Sequence, residues 1–216
     1  MQITHLGHSC LLLEYGEARL LVDPGTFSSD LEFVEDVDAV LVTHQHADHV
    51  DTARLPDLLA ASPGARLLVE PGTVDVLAGA GITAEPFAAG DRVTIGGVEV
   101  EGVGGDHAVI YREIPRVGNT GLVLRQEGAP TLFHTGDMID TTPDGIDLVT
   151  FPLSAPWCAL KETIEFLRAL APSIAVPVHD ALLSPPGRGL YLTQTTNFGP
   201  AGMTMRDLAG AGPAPF

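Results

Sequence analysis

Short apolar runs separated by turn signals set the rhythm of the chain. "CLLLEY" (10–15) and "ARLLVD" (18–23) flank a glycine-containing turn and predict a β-hairpin. "DAVLVT" (38–43) is apolar without alternation, the pattern of a strand covered on both faces. "DTARLPDLLAAS" (51–62) predicts a helix with an irregular first turn at Pro56. "ARLLVE" (65–70) reads as a strand, "TVDVLAGAG" (73–81) as a helix, and "DRVTIGGVEVEGV" (91–103) as a second hairpin around Gly96 and Gly97.

The second half repeats the pattern. A hairpin is expected over 120–137, a strand over 147–153, an amphipathic helix in "LKETIEFLRAL" (160–170), and a last buried strand in "SIAVPVHD" (173–180). Mixed strands with helices in both halves predict an α/β fold of two packed sheets with helices outside. No linker composition separates the halves, so residues 1–216 read as one domain with a loose tail at 209–216.

Composition narrows the partners. The chain is 45% hydrophobic, enough for a sizeable core, and its formal charge is −17, from 28 acidic and 11 basic residues. Such a surface repels phosphate backbones, so nucleic acid is not expected as a partner. No secretory leader pattern and no apolar run of spanning length occur, which points to a cytoplasmic protein without a membrane span. Cys10 and Cys158 both sit among apolar neighbours, as buried free thiols would. A homo-oligomer is compatible with all of this.

The chemistry concentrates in "THQHADH" (43–49), which holds three of the eight histidines. Alternation along a strand sends His44 and His46 to the same side, with Asp48 and His49 following as the chain turns. Four ligand-type residues in six positions point to bound metal rather than a solvated loop. His107, Asp137 and His179 each follow an apolar β-run, where further ligands from other strand ends would stand.

With those residues in place, the chain resembles the metallo-β-lactamase-fold superfamily, whose HxHxDH signature "THQHADH" matches. "LGHSCLLLE", "LVDPG" and "LFHTGD" are similar to patterns of its ascorbate-6-phosphate lactonase-like branch, which includes phosphodiesterases. The resemblance implies a four-layer αββα sandwich with two divalent metals at one edge. It assigns His44, His46 and His107 to one metal, Asp48, His49 and His179 to the other, and Asp137 to both. Zinc suits such imidazole-rich, thiolate-free ligands, and manganese or iron are compatible.

The implied activity is hydrolysis of a small, anionic ester, lactone or phosphodiester by a hydroxide bridging the metals. Asp48 then acts either as proton carrier or as ligand only. The alternatives are a mononuclear iron redox enzyme and a nuclease of the same fold. The former lacks support in the intact seven-residue set, and the latter lacks a basic surface. Asp23 is expected as a hydrogen-bond acceptor behind a ligating histidine, or as a turn-forming Asp-Pro. His8 is expected close to the site, His134 on the opposite face of its strand from Asp137, and His5 as an ordinary strand residue. Tyr111 and Arg112, with Arg116, are weak candidates for contacting substrate, and Trp157 walls a pocket or packs a helix.

Overall fold

The computed structural model describes all 216 residues. Its first sheet begins with the meander β1 (Gln2–His5), β2 (Leu11–Tyr15) and β3 (Ala18–Val22). It continues in parallel through β4 (Ala39–Val42), β5 (Arg66–Val69) and the short β6 (Glu85–Pro86). Helices α1 (Leu55–Ala61) and α2 (Pro71–Gly79) connect the parallel strands.

The second sheet repeats this plan. β7 (Arg92–Ile95), β8 (Val98–Asp106), β9 (Gly118–Arg125) and β10 (Leu132–His134) pair antiparallel. β11 (Leu148–Pro152), β12 (Ile174–Val178) and β13 (Thr204–Met205) add on in parallel, with α3 (Leu160–Leu170) and α4 (Pro185–Phe198) between them. A last strand, β14 (Ala214–Pro215), returns to the first sheet and pairs antiparallel with β1.

Strand alternation builds three apolar layers. Leu11, Leu13, Leu20, Val22 and Leu41 face inward across the gap to Val98, Val100, Leu122, Leu124 and Val176. The intervening Leu12, Leu21, Val40 and Val42 face outward against Leu55, Leu58 and Leu77 of α1 and α2. On the far side, Val123, Phe133, Val149 and Phe151 pack against Phe166 and Leu167 of α3. This is the αββα sandwich. Truncating a central residue such as Leu41 or Leu122, both almost fully buried, to Ala would cost about 2–5 kcal/mol.

The sequence-based expectations differ from the structure in three places. α4 was not anticipated: its segment carries Gly187 and Gly189 and has no clear apolar stripe, although Ser184 caps it by accepting the Gly187 amide. α2 starts at Pro71, because the Glu70 side chain accepts from the Gly72 and Thr73 amides and ends the strand reading early. The tail is not loose at its tip. Ala214 is buried, since it extends the first sheet where β1 would otherwise be an open edge.

The carboxyl ends of β3, β4, β10 and β12 lie at one rim of the sandwich, the usual place for a site in sheets of this kind. No helix is long and apolar enough to cross a membrane.

Candidate metal centre

At the end of β4 the chain turns sharply over the rim. The His49 and Val50 amides both donate to the His46 carbonyl, at 2.9 and 3.0 Å, which gathers His44, His46, Asp48 and His49 around one turn. The neighbouring "DPG" segment packs directly beneath it. A Cβ on Gly25 would collide with the Asp48 carbonyl, so only glycine fits this close approach.

The second sheet supplies the rest. His107 follows β8, and His179 follows β12 in a left-handed conformation, φ 57°. Asp137 follows β10 through Gly136, whose φ of 56° and lack of room beside Thr43 and Asn119 demand glycine. Asp137 ends up among four imidazoles. Its Oδ2 lies 3.2 Å from His107 Nε2, 3.4 Å from His179 Nε2 and 3.9 Å from His44 Nε2, and its Oδ1 lies 3.1 Å from His49 Nε2. His46 Nδ1 faces His44 Nε2 at 3.1 Å.

Two groups able to hold a metal result. His44, His46, His107 and Asp137 form one, and His8, Asp48, His49 and His179 the other, with the donor atoms of each within 4.8 Å of one another. These residues fit metal. His49 Nε2, His179 Nε2 and Asp137 Oδ1 are buried with no aligned hydrogen-bond partner, although buried polar atoms are ordinarily satisfied. The opposite edges of the rings are held: His49 Nδ1 donates to Asp23 at 2.7 Å, His107 Nδ1 to the Ala108 carbonyl at 2.6 Å, and His179 Nδ1 to the Ser154 carbonyl at 2.7 Å. Such outer bonds leave the Nε2 lone pair facing the centre, as metal-ligating histidines require.

His8 differs from the others in its group. The Ala181 amide donates to its Nδ1 at 3.3 Å, so the ring proton must sit on Nε2, which donates to Asp48 Oδ2 at 3.2 Å. An Nε2 that carries a proton has no lone pair for a metal. Burial lowers the His8 pKa, against a raising hydrogen bond to Asp48, consistent with a neutral ring. Its backbone is left-handed at φ 52°, and its carbonyl accepts from the His179 amide and from His5 Nε2, both at 2.8 Å. His5, read from the sequence as an ordinary strand residue, therefore buttresses this turn.

Asp23 is fully buried and left-handed at φ 47°. It accepts from the Thr43 amide and hydroxyl at 2.8 Å each, from His49 at 2.7 Å, and from His134 Nε2 at 2.9 Å. His134, on the far side of the carboxylate, is held in turn against Thr150 Oγ1 at 2.7 Å. Burial alone would raise the Asp23 pKa, but the His49 charge and the two imidazole hydrogen bonds hold it well below the usual carboxylate range. The same contest governs Asp48 and Asp137: burial opposes ionisation, and the facing histidines prevail. His49 moves upward, its burial outweighed by Asp137 and Asp23, whereas burial pushes His44 well down.

The 107–117 segment does not bring Tyr111 or Arg112 to this cluster. Both are exposed, and Arg112 pairs with Glu113 at 3.0 Å while lying over the Tyr111 ring. Arg116 instead braces the turn, its Nε donating to the His107 carbonyl at 2.5 Å. Three residues that the sequence reading did not place in the site belong to its surroundings. Asn119 accepts the Asp137 amide at 2.9 Å, the Trp157 indole N–H donates to Asp137 Oδ2 at 3.0 Å, and Thr43 donates to Asp23. Trp157 carried one signal, as the only tryptophan, standing between a strand and a helix. Asn119 and Thr43 carried none.

Comparison with known proteins agrees with this fold. Residues 2–179 match the beta-lactamase superfamily domain. The chain is 43% identical over 200 residues to Protein Rv0786c of Mycobacterium tuberculosis, covering 91% of this chain and 92% of that one. It is 30% identical over 199 residues to a UPF0173 metal-dependent hydrolase of Opitutus terrae, covering 83% and 84%. Among solved structures, isothiocyanate hydrolase from Delia radicum gut bacteria shares the fold with a TM-score of 0.72 at 16% identity, covering 100% of this chain and 99% of that one. A buried, imidazole-rich centre at the rim of an αββα sandwich and relatives of this extent place the chain in the beta-lactamase superfamily, as a metal-dependent hydrolase.

Proposed function

We propose that residues 1–216 form one catalytic unit that hydrolyses a small ester, lactone or phosphodiester at a two-metal centre. The observation that carries this reading is Asp137, whose two oxygens face both donor groups at once. In this reading His44, His46 and His107 hold one divalent ion, Asp48, His49 and His179 the other, and Asp137 both. Zinc, manganese or iron suits the donor set. Ions bound there supply Lewis acidity and bring the pKa of bound water from 15.7 down to about 7, so that a nucleophile exists at neutral pH.

The chain's own residues do the positioning. Asp23 fixes the tautomer and tilt of His49, and the Trp157 N–H and Asn119 together set the orientation of Asp137. Asp48 is a quarter exposed where Asp137 is almost fully covered, so in this reading it is the carboxylate set to pass a proton to solvent, against the facing histidines that favour its ionised form. The His8 Nε2–H holds Asp48 Oδ2 in place while it does so.

Elemental mass spectrometry on the untagged protein and its His49→Ala variant, with bis-p-nitrophenyl phosphate and simple lactones assayed on both, tests the reading. Two metals per chain, with stoichiometry and turnover falling together in the variant, is the expected result. A single iron with no hydrolysis of either substrate would reject it.

A further inference from the structure

Beside the metal centre runs an open groove of about 560 Å3, a size within the roughly 300–1,000 Å3 of small-molecule sites. None of the seven ligand candidates lines it, but two of its lining residues abut them. Ala108, one of its lining residues, follows His107, and Trp157, another, donates its indole N–H to Asp137. Val109, Ile139 and Phe166 make its remaining wall largely apolar. A separate cavity of about 340 Å3 beside α1 includes none of the cluster residues.

Charge decides what the groove can take. Its polar lining includes Asp140, Glu162 and Glu165, and no lysine or arginine lines it. Nearby arginines are already paired: Arg112 with Glu113, Arg116 with the His107 carbonyl, Asp106 and the lining Asp140, and Arg168 with the lining Glu165, which leaves Glu162 as the lining carboxylate without an arginine partner. Val109, which lines the groove, is itself exposed.

We infer that the groove beside Trp157 binds the non-reacting arm of the substrate, and that this arm is apolar and free of negative charge. The inference rests on the hydrolase reading and revises the sequence-based expectation of an anionic substrate. Negative charge is confined to the reacting group at the metals, while the arm meets hydrocarbon and carboxylates. A terminal carboxylate or phosphate on the arm would meet apolar side chains and the unpaired Glu162, because the arginines at Asp140 and Glu165 are already engaged.

p-Nitrophenyl hexanoate and the p-nitrophenyl monoester of adipic acid have arms of the same length and differ in a terminal carboxylate. The metal-loaded protein is expected to prefer the hexanoate by at least about tenfold in kcat/KM. Glu165→Gln should narrow that preference by about threefold, because one exposed charge has a modest effect through water. Ala169→Trp, which fills the groove, should lower the hexanoate-to-acetate ratio about tenfold. Equal or better use of the adipate ester, or ratios that neither variant moves, would overturn the inference.

Trp157, the only tryptophan, reads occupancy without turnover. Hexanamide is expected to shift its emission, and adipate at the same concentration to leave it unmoved. A shift with hexanamide in a protein that hydrolyses neither ester keeps the groove and rejects ester hydrolysis. Turnover of both esters at equal rates without any shift keeps hydrolysis and rejects the groove.

Discussion

The two sheets deliver their share of the centre in different ways. The first places four ligand-type side chains within one turn, His44 to His49, immediately after β4. The second places one each at the ends of β8, β10 and β12, spread from His107 to His179 along the chain. Yet the second sheet contributes Asp137, which touches imidazoles from both groups. The dense local motif concentrates donors, and the dispersed residues join them into one centre. A turn can hold side chains near each other, but only two packed sheets can set a carboxylate across from it.

Removing that joint should therefore have the largest effect. Asp137→Ala is expected to lose both metals and to lower turnover by more than the roughly 10–100-fold that outer partners of a metal site cost. Metal content beside kcat checks it, and a variant that kept one tightly held ion with near-normal activity would reverse the ranking of the two sheets.

Next comes the support behind the first sheet's turn. Asp23→Asn exchanges an acceptor of four hydrogen bonds for an amide whose NH2 must face either the Thr43 amide, at the Oδ1 position, or the two imidazoles, at the Oδ2 position, as a second donor. Metal affinity should fall about 10–100-fold. Stability of the chelated protein should fall by about 3–5 kcal/mol, as when one partner of a buried ion pair is removed. Competition with a chromogenic chelator and denaturant unfolding measure the two effects, and an unchanged metal affinity would remove Asp23 from the site.

A smaller change is expected at His8. Because its Nε2 carries a proton, His8→Ala should keep two metals per chain while kcat drops about tenfold. His8→Gln, whose amide N–H can still reach Asp48, should recover most of the loss. Loss of one metal in His8→Ala would make it a ligand after all.

The smallest effect is a pH dependence of the metal-free fold. Burial depresses the His179 pKa, but the Asp137 charge and the hydrogen bonds to Asp137 and Asp48 outweigh it and raise it from 6.5 to about 9. A histidine raised on folding contributes stability that is complete below about pH 6.5 and is lost as pH rises through about 9. His49 shifts in the same direction. The Tm of chelated protein should decline across this window, by about 2–4 °C per kcal/mol at this chain size. With metal bound the proton is displaced and the decline should vanish. Flat thermal melts of the chelated protein from pH 6.5 to 9 would rule this out.

Much of this was legible before any coordinates. The apolar runs of β2, β3, β4, β11 and β12 and the stripe of α3 declared themselves, because period 2 and period 3.6 are local properties of the chain. The seven residues proposed as ligands were nameable because their side chains are costly to bury without a partner and they stand at strand ends. α4 and β14 were not legible. The first lacks an apolar stripe, and the second exists only because β1 offers it a free edge.

Tertiary structure alone decided the rest. The state of the His8 ring depends on the amide of Ala181, in a loop of the other sheet, 173 residues away in the chain. Asp23 and His134, 111 residues apart, share a hydrogen bond because β3 and β10 end at the same rim. The groove's acidity arises where the loop after Asp137 meets the first turns of α3, and no window of sequence contains both. By itself the sequence determined which side chains would need partners, since burial and periodicity act along the chain. Which partners they found was decided by packing two sheets face to face, because only that brings distant strand ends within hydrogen-bond reach.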